Sequence, residues 1–407
     1  MLGLWVLTLL PWRAVRTLVR PLGLLVLAGT GIGFVAWAVS FETRELWWPL
    51  GYATARLVRG FFNLLGVEQV TGLGELTLGT PQFAVEVSPA CSGYQGIGLI
   101  LVFTSTYLWV CRRTLRFPRA FLLLAVGTAL MFFANAVRIA ALVAIGSWLS
   151  PEVAVGGFHS AAGALLFSAI ALGMVYAAER SSFLSVTDSR KREVMVSPTA
   201  AHLVPLLAVV GTAMVTGALT ADGFDALYPL RVVAAGAALW LYRQHYRELR
   251  WTWSWFAVGT GLAMFGAWVL LGRGASGGEA ADGFERALVA LPPSWAAVWL
   301  GWRILGAVVT VPLAEELAFR GYLLRRLVAH DFQAVSARRF SWVGLLVSSL
   351  AFGALHGRLL AGTLAGMCYA LAYRRRGELA DAVVAHAATN AALAVWVMTV
   401  GSWSDWG

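Results

Sequence analysis

Long apolar runs separated by short basic stretches dominate this chain. A membrane-spanning helix needs about 20 predominantly apolar residues. About eleven stretches satisfy this length criterion, namely 21–41, 92–111, 119–137, 160–178, 203–220, 227–243, 252–272, 294–314, 341–356, 358–374 and 381–401. The run 46–70 is also apolar but carries Arg56 and Arg59, which indicates an interfacial helix or a poor span. The pattern therefore predicts an all-α, polytopic transmembrane helical protein.

The longest polar stretch divides these runs into two groups. Residues 180–202 read RSSFLSVTDSRKREVMVSPTAAH. We therefore predict two fused helical domains, 1–180 and 203–407, joined by a cytoplasmic polar linker at 181–202. Within the second domain, the Gly-rich residues 273–283 are predicted to form a loop.

The composition is typical of a membrane protein, and this affects how the positive net charge is interpreted. Of 407 residues, 59% are hydrophobic and 13% are charged, whereas a soluble domain carries about 25% charge. The net charge of +10 would suggest a nucleic-acid partner for a soluble domain. Here Lys and Arg cluster at the ends of apolar runs, as the positive-inside rule requires, so we expect membrane lipid around the chain and no nucleic acid.

The basic clusters also predict an orientation. Those at 112–119, 190–192, 243–250, 325–326, 338–339 and 374–376 can all be cytoplasmic if the spans alternate from residue 92 onward. The stretches 72–91, 138–159, 221–226 and 273–293 then face outside. The number of spans before residue 92 stays open.

The first candidate site lies in FAVEVSPACSGYQGI, residues 83–97. Apolar and other residues alternate over Phe83–Val87, which predicts a short strand that Pro89 ends. Ser92 or Gly93 can then begin a helix. Cys91 then lies at or just before a helix N-terminus, where the helix dipole favours the nucleophilic thiolate. The alternative is that Cys91 is a small buried hydrophobe, as many cysteines are. The three cysteines are far apart and form no C-x-x-C pair, so no disulfide framework is predicted.

Two further residues reach the same membrane face in the predicted topology. Arg138 lies in the apolar run FFANAVRIAAL, where an ionisable residue is costly and is a functional hypothesis by default. Asn135 shares its helix face, and Arg138 could instead snorkel to the interface. His159 begins the next span and could be a polar anchor. Together a thiolate, an imidazole and a guanidinium suffice for acyl transfer.

The blocks ACSGYQGI, NAVR and HSAAG resemble the C-S-G, N-x-x-R and H-x-x-x-G motifs of exosortases over roughly residues 20–180. Exosortases are integral membrane enzymes of Gram-negative bacteria. They act on proteins that end in a short motif, a transmembrane helix and a basic tail. The resemblance implies that Cys91 is the nucleophile, His159 the acid/base and Arg138 the oxyanion stabiliser, with Asn135 in support.

The second candidate site begins in PLAEELAFRGYLLRR, residues 312–326. Two adjacent carboxylates in an apolar run are expensive unless they are paired or functional. Glu316 and Arg320 are spaced i, i+4 and can pair on one helix face; whether that pair is structural or functional stays open. Glu315 points about 100° away and has no local partner, so it could act as a base that activates water.

Two histidines and an asparagine extend this site. His356 ends SSLAFGALHG, and His386 and Asn390 share a helix face in HAATN. Each alone would more often be a helix–helix hydrogen-bond partner, but together with Glu315 they indicate a hydrolase site. Two histidines and a glutamate could also bind zinc, although the chain contains no H-E-x-x-H.

Depth in the membrane tests this grouping. Glu315 and His386 each lie ten residues from a basic cluster, or about 15 Å from the membrane face at 1.5 Å per residue. His356 lies 17 residues from its cluster, or about 25 Å by the same rise. A helix break at Gly353, or a strong tilt, would be needed to bring His356 to the glutamate.

The blocks EELAFR, FGALH and HAATN resemble the E-E-x-x-x-R, F-x-x-x-H and H-x-x-x-N motifs of the CPBP family over roughly residues 203–402. This family of CAAX proteases and bacteriocin-processing proteins is also called the type II CAAX prenyl endopeptidase or Abi family. It includes glutamate-dependent intramembrane proteases, so the resemblance implies no cofactor and no metal.

The resemblance also implies roles for the residues of the second site. Glu315 is expected to be the base, and His356 is expected to help position water. His386 and Asn390 are expected to stabilise the oxyanion. The supporting residues would be Glu316 and Arg320.

The whole chain resembles the fused exosortase E/protease proteins of VPEID-CTERM systems. This implies a cysteine protease or transpeptidase that processes C-terminal sorting signals, fused to an intramembrane endopeptidase. It would lie in the inner membrane with its Cys91 site facing the periplasm; the acceptor stays unknown. The alternatives are a transporter, because intramembrane Arg, Glu and His also mark ion pathways, or a non-catalytic scaffold that recognises transmembrane tails. Arg303, also in an apolar run, has no assigned role.

Overall fold

The computed structural model describes most of the chain. The described residues are 44–69, 74–186, 197–220, 224–272 and 279–401, with Trp403 and scattered positions between 23 and 41. The predicted span 21–41 therefore lies largely outside the described residues, as does residue range 187–196 of the predicted linker. Within the described residues, contacts cluster into two units. The first consists of residues 31–186 with 214–220, and the second of residues 197–213 and 224–403 with the described positions before residue 31.

The first unit consists of helices and one β-hairpin. Its main elements are α1 (Trp47–Leu64), β1 (Thr77–Gly79), β2 (Ala84–Glu86), α2 (Tyr94–Val110), α3 (Leu122–Trp148) and α4 (His159–Arg180). The two strands are antiparallel, with Thr77 opposite Glu86, and β2 lies within the stretch that alternation predicted as a strand. Small and branched side chains of α1 and α3 form the core beside the hairpin, including Ala55, Val58, Ala136 and Val143.

The second unit consists of helices alone within the described ranges. Its main elements are α5 (Pro198–Ala218), α6 (Pro229–Leu241), α7 (Trp255–Gly272), α8 (Glu279–Val289), α9 (Pro293–Arg326), α10 (Trp342–Ala354), α11 (Leu359–Arg376) and α12 (Leu379–Val400). The last residues of α5 belong to the first unit. The buried core is formed by side chains of α7, α9, α11 and α12.

Six helices in the described part are long and apolar enough to cross a membrane. They are Arg119–Trp148, Ala161–Arg180, Pro198–Ala218, Trp255–Gly272, Pro293–Arg326 and Leu379–Val400. Three shorter apolar helices are Tyr94–Val110, Pro229–Leu241 and Trp342–Ala354. Each predicted span that falls on described residues is helical, so the all-α transmembrane class is confirmed. Fewer than the eleven predicted spans meet this criterion in the described part. The span 21–41 lies largely outside it, the three shorter helices end early, and Leu359–Arg376 ends in three arginines.

The helix α9 carries both carboxylates of the second candidate site. It contains two π-helical segments, Gly306–Thr310 and Leu317–Leu323, on either side of Val311–Glu316. A π segment widens the helix and displaces carbonyl groups from their i−4 partners, and such segments recur at functional sites.

The short helix α10 explains how His356 reaches the second site. At 1.5 Å per residue, its 13 residues rise about 20 Å, and it ends at Ala354, one residue after Gly353. A methyl group on Gly362 of α11 would lie 2.8 Å from Gly353 Cα, so the two helices pack with their backbones close together. The helix therefore continues through Gly353 and ends at Ala354, so His356 lies in the turn between α10 and α11.

The basic ends of this helix pair lie together. Arg338 Nε donates to the carbonyl of Arg376 at 3.2 Å, and Arg374 Nε donates to the carbonyl of Arg338 at 3.4 Å. The two basic clusters that the predicted orientation assigns to one membrane face are thus in direct contact.

Candidate active sites

Cys91 ends a single 3₁₀ turn between the hairpin and α2. The turn is Pro89–Cys91, and the next helix begins at Tyr94 with Gly93 as its N-cap. The Cys91 side chain is buried, at 8% exposure. Thr54 Oγ1 of α1 donates to the carbonyl of Ser92 at 3.1 Å, which ties the turn to α1. The cysteine therefore lies just before a helix N-terminus, as the sequence predicts.

Asn135 holds the same turn from the side of α3. Its Nδ2 donates to the carbonyl of Cys91 at 2.9 Å, in a buried hydrogen bond. Gly93 has φ +89°, and a methyl group there would lie 3.0 Å from Asn135 Nδ2. The backbone after Cys91 therefore needs glycine both for its left-handed conformation and for the close approach of Asn135. Helical spacing indicated Asn135 only as a neighbour of Arg138 on one helix face, and the exosortase resemblance implied a supporting role for it.

A cavity of about 250 Å³ brings Cys91 and His159 together. It is lined by Val85, Glu86, Val87, Ser88, Cys91, Ile139, Leu142, Val155 and His159. His159 is exposed at the start of α4. The cavity wall also includes Glu86 and Ser88, which sequence reasoning did not select. The alternation of the strand Ala84–Glu86 could have indicated that Glu86 is exposed on the strand next to the cysteine.

Arg138 is not among the residues that line this cavity. Its guanidinium lies instead against Gly163 of α4, since a methyl group added to Gly163 would be 3.3 Å from Arg138 Nη1. Gly163 follows His159 by four residues, so the guanidinium lies about one helical turn along α4 from the histidine. The structure thus places Cys91 and His159 at one cavity, whereas the guanidinium of Arg138, a residue of α3, lies against the helix that begins with His159.

At the second site, Glu316 and Arg320 form a fully buried ion pair. Arg320 Nη1 donates to Glu316 Oε1 at 3.1 Å, and Arg320 Nε lies 3.0 Å from Glu316 Oε2. Arg320 Nη2 also donates to the carbonyl of Gly366 in α11 at 2.8 Å, and its guanidinium carbon lies 4.5 Å from the ring centroid of Phe352. The i, i+4 pairing that the spacing predicts is present, and it links α9 to α11.

The same carboxylate orients His386. His386 Nδ1 lies 3.0 Å from Glu316 Oε1. Because an ionised carboxylate can only accept, Nδ1 carries the proton. The ring stacks on Tyr369, with centroids 4.8 Å apart and an angle of 17°. These two contacts direct His386 Nε2 toward Glu315, at 4.0 Å from Oε2.

The backbone carbonyl and the aromatic ring of Phe352 hold His356 in a similar way. Its Nδ1 lies 2.8 Å from the carbonyl of Phe352, which can only accept, so Nδ1 is again the protonated nitrogen. The ring stacks on Phe352 at 4.4 Å and 27°. His356 Nε2 therefore faces Glu315 Oε2, at 3.7 Å.

Glu315 lies between these two imidazoles. Its Oε2 is buried and has no hydrogen-bond partner in the described part of the chain. The distances of 3.7 and 4.0 Å to the two Nε2 atoms are too long for direct hydrogen bonds. They fit a water molecule or a substrate atom held between the three groups.

Asn390 completes the predicted set. Its Nδ2 donates to the carbonyl of Ala307 at 2.7 Å. Ala307 lies in the π segment Gly306–Thr310, where the widened turn displaces carbonyls from helical partners. Asn390 lines a cavity of about 610 Å³ together with Glu315, His356 and His386. Glu316 and Arg320 are buried and do not line this cavity.

The cavity also contains Tyr369 and Thr389, which sequence reasoning missed. The position of Tyr369 in GMCYALAY, among small and apolar residues of a helix, could have indicated an inward polar aromatic.

The three central side chains could also hold a metal ion. The ligand atoms of Glu315, His356 and His386 lie within 4.8 Å of one another, and two histidines with a carboxylate are a donor set that zinc accepts. A tetrahedral site with bonds of about 2.0 Å puts ligand atoms roughly 3.3 Å apart. The two Nε2 atoms, at 3.7 and 4.0 Å from Glu315 Oε2, would therefore have to approach it by about 0.4 and 0.7 Å to reach this spacing. The geometry at this point allows either a water-activating base or a metal.

The geometry agrees with comparisons to known families. The family of transmembrane exosortases matches residues 1–176, and the family of type II CAAX prenyl endopeptidase Rce1-like proteins matches residues 297–392. The chain joins an exosortase domain to a Rce1-like domain. No curated protein and no solved structure matches it.

All the predicted site residues fall within these two matches. Cys91, Asn135, Arg138 and His159 lie in the exosortase domain, and the carboxylates, histidines and Asn390 of the second site lie in the Rce1-like domain. The predicted combination of families is confirmed. Both families are peptidases, and both domains are helical membrane domains. The two matches therefore support a role in processing proteins at a membrane.

Proposed function

We propose that the protein processes the C-terminal sorting signals of exported proteins in two steps, one at each site. The observation that carries this proposal is the second cavity, in which an orphaned glutamate oxygen faces two imidazoles with fixed ring orientation. The first cavity supports it, because it holds a cysteine and a histidine in an exosortase domain.

In the first step, Cys91 Sγ attacks the scissile carbonyl of the substrate. His159 takes the thiol proton and gives it to the leaving amine. Arg138 stabilises the oxyanion after a movement of its side chain toward the cavity. The resulting thioester passes its acyl group either to water, as in a protease, or to an acceptor amine, as in a transpeptidase.

In the second step, Glu315 removes a proton from a water molecule held between it and His356. The hydroxide adds to a peptide carbonyl, and Glu315 returns the proton to the leaving amine. Asn390 donates its second Nδ2–H to the oxyanion, and His386 donates from Nε2 once that nitrogen carries a proton in addition to Nδ1. Glu316 and Arg320 keep His386 in place, and the proposed reaction uses no metal.

The substrate class follows from the membrane setting. We propose inner-membrane localisation in a Gram-negative bacterium, with the Cys91 site facing the periplasm and the basic helix ends in the cytoplasm. A protein with a C-terminal motif, a transmembrane helix and a basic tail would present the motif to the first site. The second site would then clear the helical remnant.

A processing assay in cells tests both steps. A candidate substrate with a C-terminal sorting helix is co-expressed with the wild type, Cys91→Ala or Glu315→Ala, and its products are followed by mass spectrometry. We expect no cleavage with Cys91→Ala and accumulation of a helical remnant with Glu315→Ala. The matched controls Cys111→Ala and Glu285→Ala should process normally, because neither residue lines either cavity.

The outcomes separate the alternatives. Unchanged processing in both active-site variants would overturn the two-enzyme proposal in favour of a transporter or scaffold. Loss of remnant clearance on treatment with a chelator, restored by zinc, would assign Glu315, His356 and His386 to a metal instead of a water-activating base.

A further inference from the structure

The hairpin next to Cys91 has one covered edge and one open edge. On the outer edge of β1, Arg59 Nη2 of α1 donates to the carbonyls of Glu75 and Thr77 at 2.7 and 3.4 Å. The N–H of Thr77 donates to the carbonyl of Gly74 at 2.9 Å. On the outer edge of β2, none of the described residues makes a comparable hydrogen bond. The open edge of the hairpin is therefore that of β2.

The hydrogen bonds between the strands show which groups lie on the open edge. Along β2, the carbonyl of Phe83 and the N–H of Val87 each bond to a residue that flanks β1, at 2.9 Å. Successive residues of an antiparallel pair alternate between hydrogen-bonded and non-hydrogen-bonded positions. Ala84 and Glu86, each next to a bonded residue, therefore direct their N–H and C=O groups away from β1. Both residues are exposed.

The open edge borders the cavity that contains Cys91 and His159. Four consecutive residues, 85–88, line this cavity. Successive side chains of a strand point to opposite faces, so a cavity lined by all four lies along the edge of the strand and not against one face. A chain that lies along this edge therefore reaches the cavity.

The same edge leads to the cysteine. Ser88 has an extended backbone, with φ −77° and ψ 169°, and its carbonyl accepts from the N–H of Cys91 at 2.9 Å. At about 3.3 Å per residue, Glu86 lies about 7 Å before Ser88. A peptide residue opposite Glu86 is then about two or three residues from a bond attacked by Cys91.

We propose that the peptide substrate of the first site binds as a third strand along the open edge of β2, with its main chain bonded to Ala84 and Glu86. The inference rests on the proposed function and adds that the substrate is extended and is recognised through its main chain. Strand addition to an open edge is a recurring mode of peptide recognition. Because lipid cannot hydrogen-bond an open edge, β2 should lie on the aqueous side, as the predicted topology of 72–91 requires.

A second copy of this chain is the other occupant that an open edge can accept. Strand β2 has only three residues, whereas a stable protein–protein interface buries about 1,200–2,000 Å². Pairing of two such edges would bury far less. The cavity beyond the edge also contains the proposed nucleophile Cys91, which a pairing of two hairpins would not use. The observations therefore favour the peptide.

A proline on the open edge tests the proposal from the side of the protein. Proline is tolerated in an edge strand where its nitrogen faces outward, so Glu86→Pro removes one outward N–H and keeps the bonds between β2 and β1. Glu86→Ala also removes the carboxylate but keeps the N–H. The difference between the two variants therefore reports the main-chain bond.

Both variants are made in a full-length parent protein, Cys91→Ala with Glu315→Gln, which lacks the nucleophile of the first site and the base of the second. In phosphatidylcholine nanodiscs, each protein is offered a library of decapeptides, and retained peptides are identified by mass spectrometry. We expect peptides whose Kd is about fivefold to tenfold higher with Glu86→Pro than with Glu86→Ala. Thermal unfolding of the same preparations shows whether Glu86→Pro is folded.

Ester replacements in a retained peptide test the same bonds without changing the protein. Each peptide bond is replaced singly by an ester, which removes one N–H donor, and Kd is measured with the parent protein. Alternate residues of an added strand bond to their neighbour. We therefore expect Kd to rise about threefold to tenfold at every second position and to change little at the positions between.

Each outcome supports or overturns the inference. The absence of any retained peptide, ester effects without alternation, or equal binding by folded Glu86→Pro and Glu86→Ala overturns it, even if the wild type cleaves peptides. If Glu86→Pro unfolds, the ester series decides alone. Alternating ester effects on a peptide that the wild type does not cleave support strand addition and overturn the proposed cleavage at Cys91. A dimer that Glu86→Pro dissociates, with no peptide retained, assigns the edge to a second copy.

Discussion

Two neighbouring carboxylates on α9 have opposite surroundings. Glu316 is contacted by Arg320 and His386 within about 3 Å, whereas Glu315 Oε2 has no hydrogen-bond partner in the described chain. A buried ion pair that loses one partner leaves an uncompensated charge. Adjacent residues of the same type should therefore respond differently to the same substitution.

Alanine substitutions of the two glutamates test this difference. We expect Glu316→Ala to destabilise the fold by about 3–5 kcal/mol, because Arg320 is left buried without its partner. Glu315→Ala should abolish cleavage at the second site and change stability by less than about 1 kcal/mol. Thermal unfolding and cleavage are measured on the same preparations. Equal loss of stability in both variants would contradict the assigned environments.

A single glycine governs the turn that carries Cys91. We expect Gly93→Ala to be destabilising by at least about 1–2 kcal/mol, because a left-handed conformation is costly for alanine and its methyl group would crowd Asn135. Cleavage at the first site should fall, while remnant clearance by the second site persists. Gly98→Ala in α2 is the control, since nothing lies within 4 Å of its added methyl. A normal first cleavage in Gly93→Ala would argue against control of Cys91 by this turn.

Among the elements, the α10–α11 pair determines the position of His356. Gly353 and Gly362 allow the two helices to approach closely, and His356 lies in the turn between them. A methyl group on Gly362 would lie 2.8 Å from Gly353 Cα and 3.3 Å from His356 Cβ. The contact is with backbone, which cannot move aside as a flexible side chain can.

Gly362→Ala should therefore separate these helices and shift His356 from Glu315. We expect a loss of about 1–3 kcal/mol in stability, as for overpacked cores, and at least a tenfold loss of Glu315-dependent cleavage. Gly266→Ala in α7, where an added methyl meets nothing within 4 Å, is the control. Full activity in Gly362→Ala at unchanged stability would show that the helices tolerate separation.

For the whole molecule, the distribution of arginines predicts which loops face the cytoplasm. Within the second unit, Arg338, Arg374 and Arg376 lie together at the ends of α10 and α11. Within the first unit, Glu152 lies in the stretch 138–159 that alternation of spans assigns to the outside. The two loops should therefore be accessible from opposite sides of the membrane.

Cysteine labelling measures this topology directly. Glu152→Cys and Ser336→Cys are made singly in a chain whose three native cysteines are replaced; both positions are exposed. We expect a membrane-impermeant maleimide to label Glu152→Cys in spheroplasts and Ser336→Cys only after permeabilisation. The reverse pattern would place the Cys91 site in the cytoplasm and contradict the proposed localisation.

The sequence by itself determined the fold class and the family combination, and it selected the candidate site residues. Long apolar runs specify membrane helices through length and composition alone, and Glu316 and Arg320 pair because i, i+4 positions share a helix face. The motifs around Cys91 and Glu315 are contiguous in the chain, so they were visible without any tertiary structure.

Only the tertiary structure decided how residues far apart in the chain meet. Asn135 holds the carbonyl of Cys91 across 44 positions, and His386 meets Glu316 across 70. The end of α10 at Ala354 was also visible only in the structure, and it leaves His356 in the turn where Nε2 lies 3.7 Å from Glu315 Oε2. Arg303 was found in the lining of the Glu315 cavity, which no local spacing could indicate. Periodicity and spacing report on one helix at a time, whereas an active site is formed by contacts between helices.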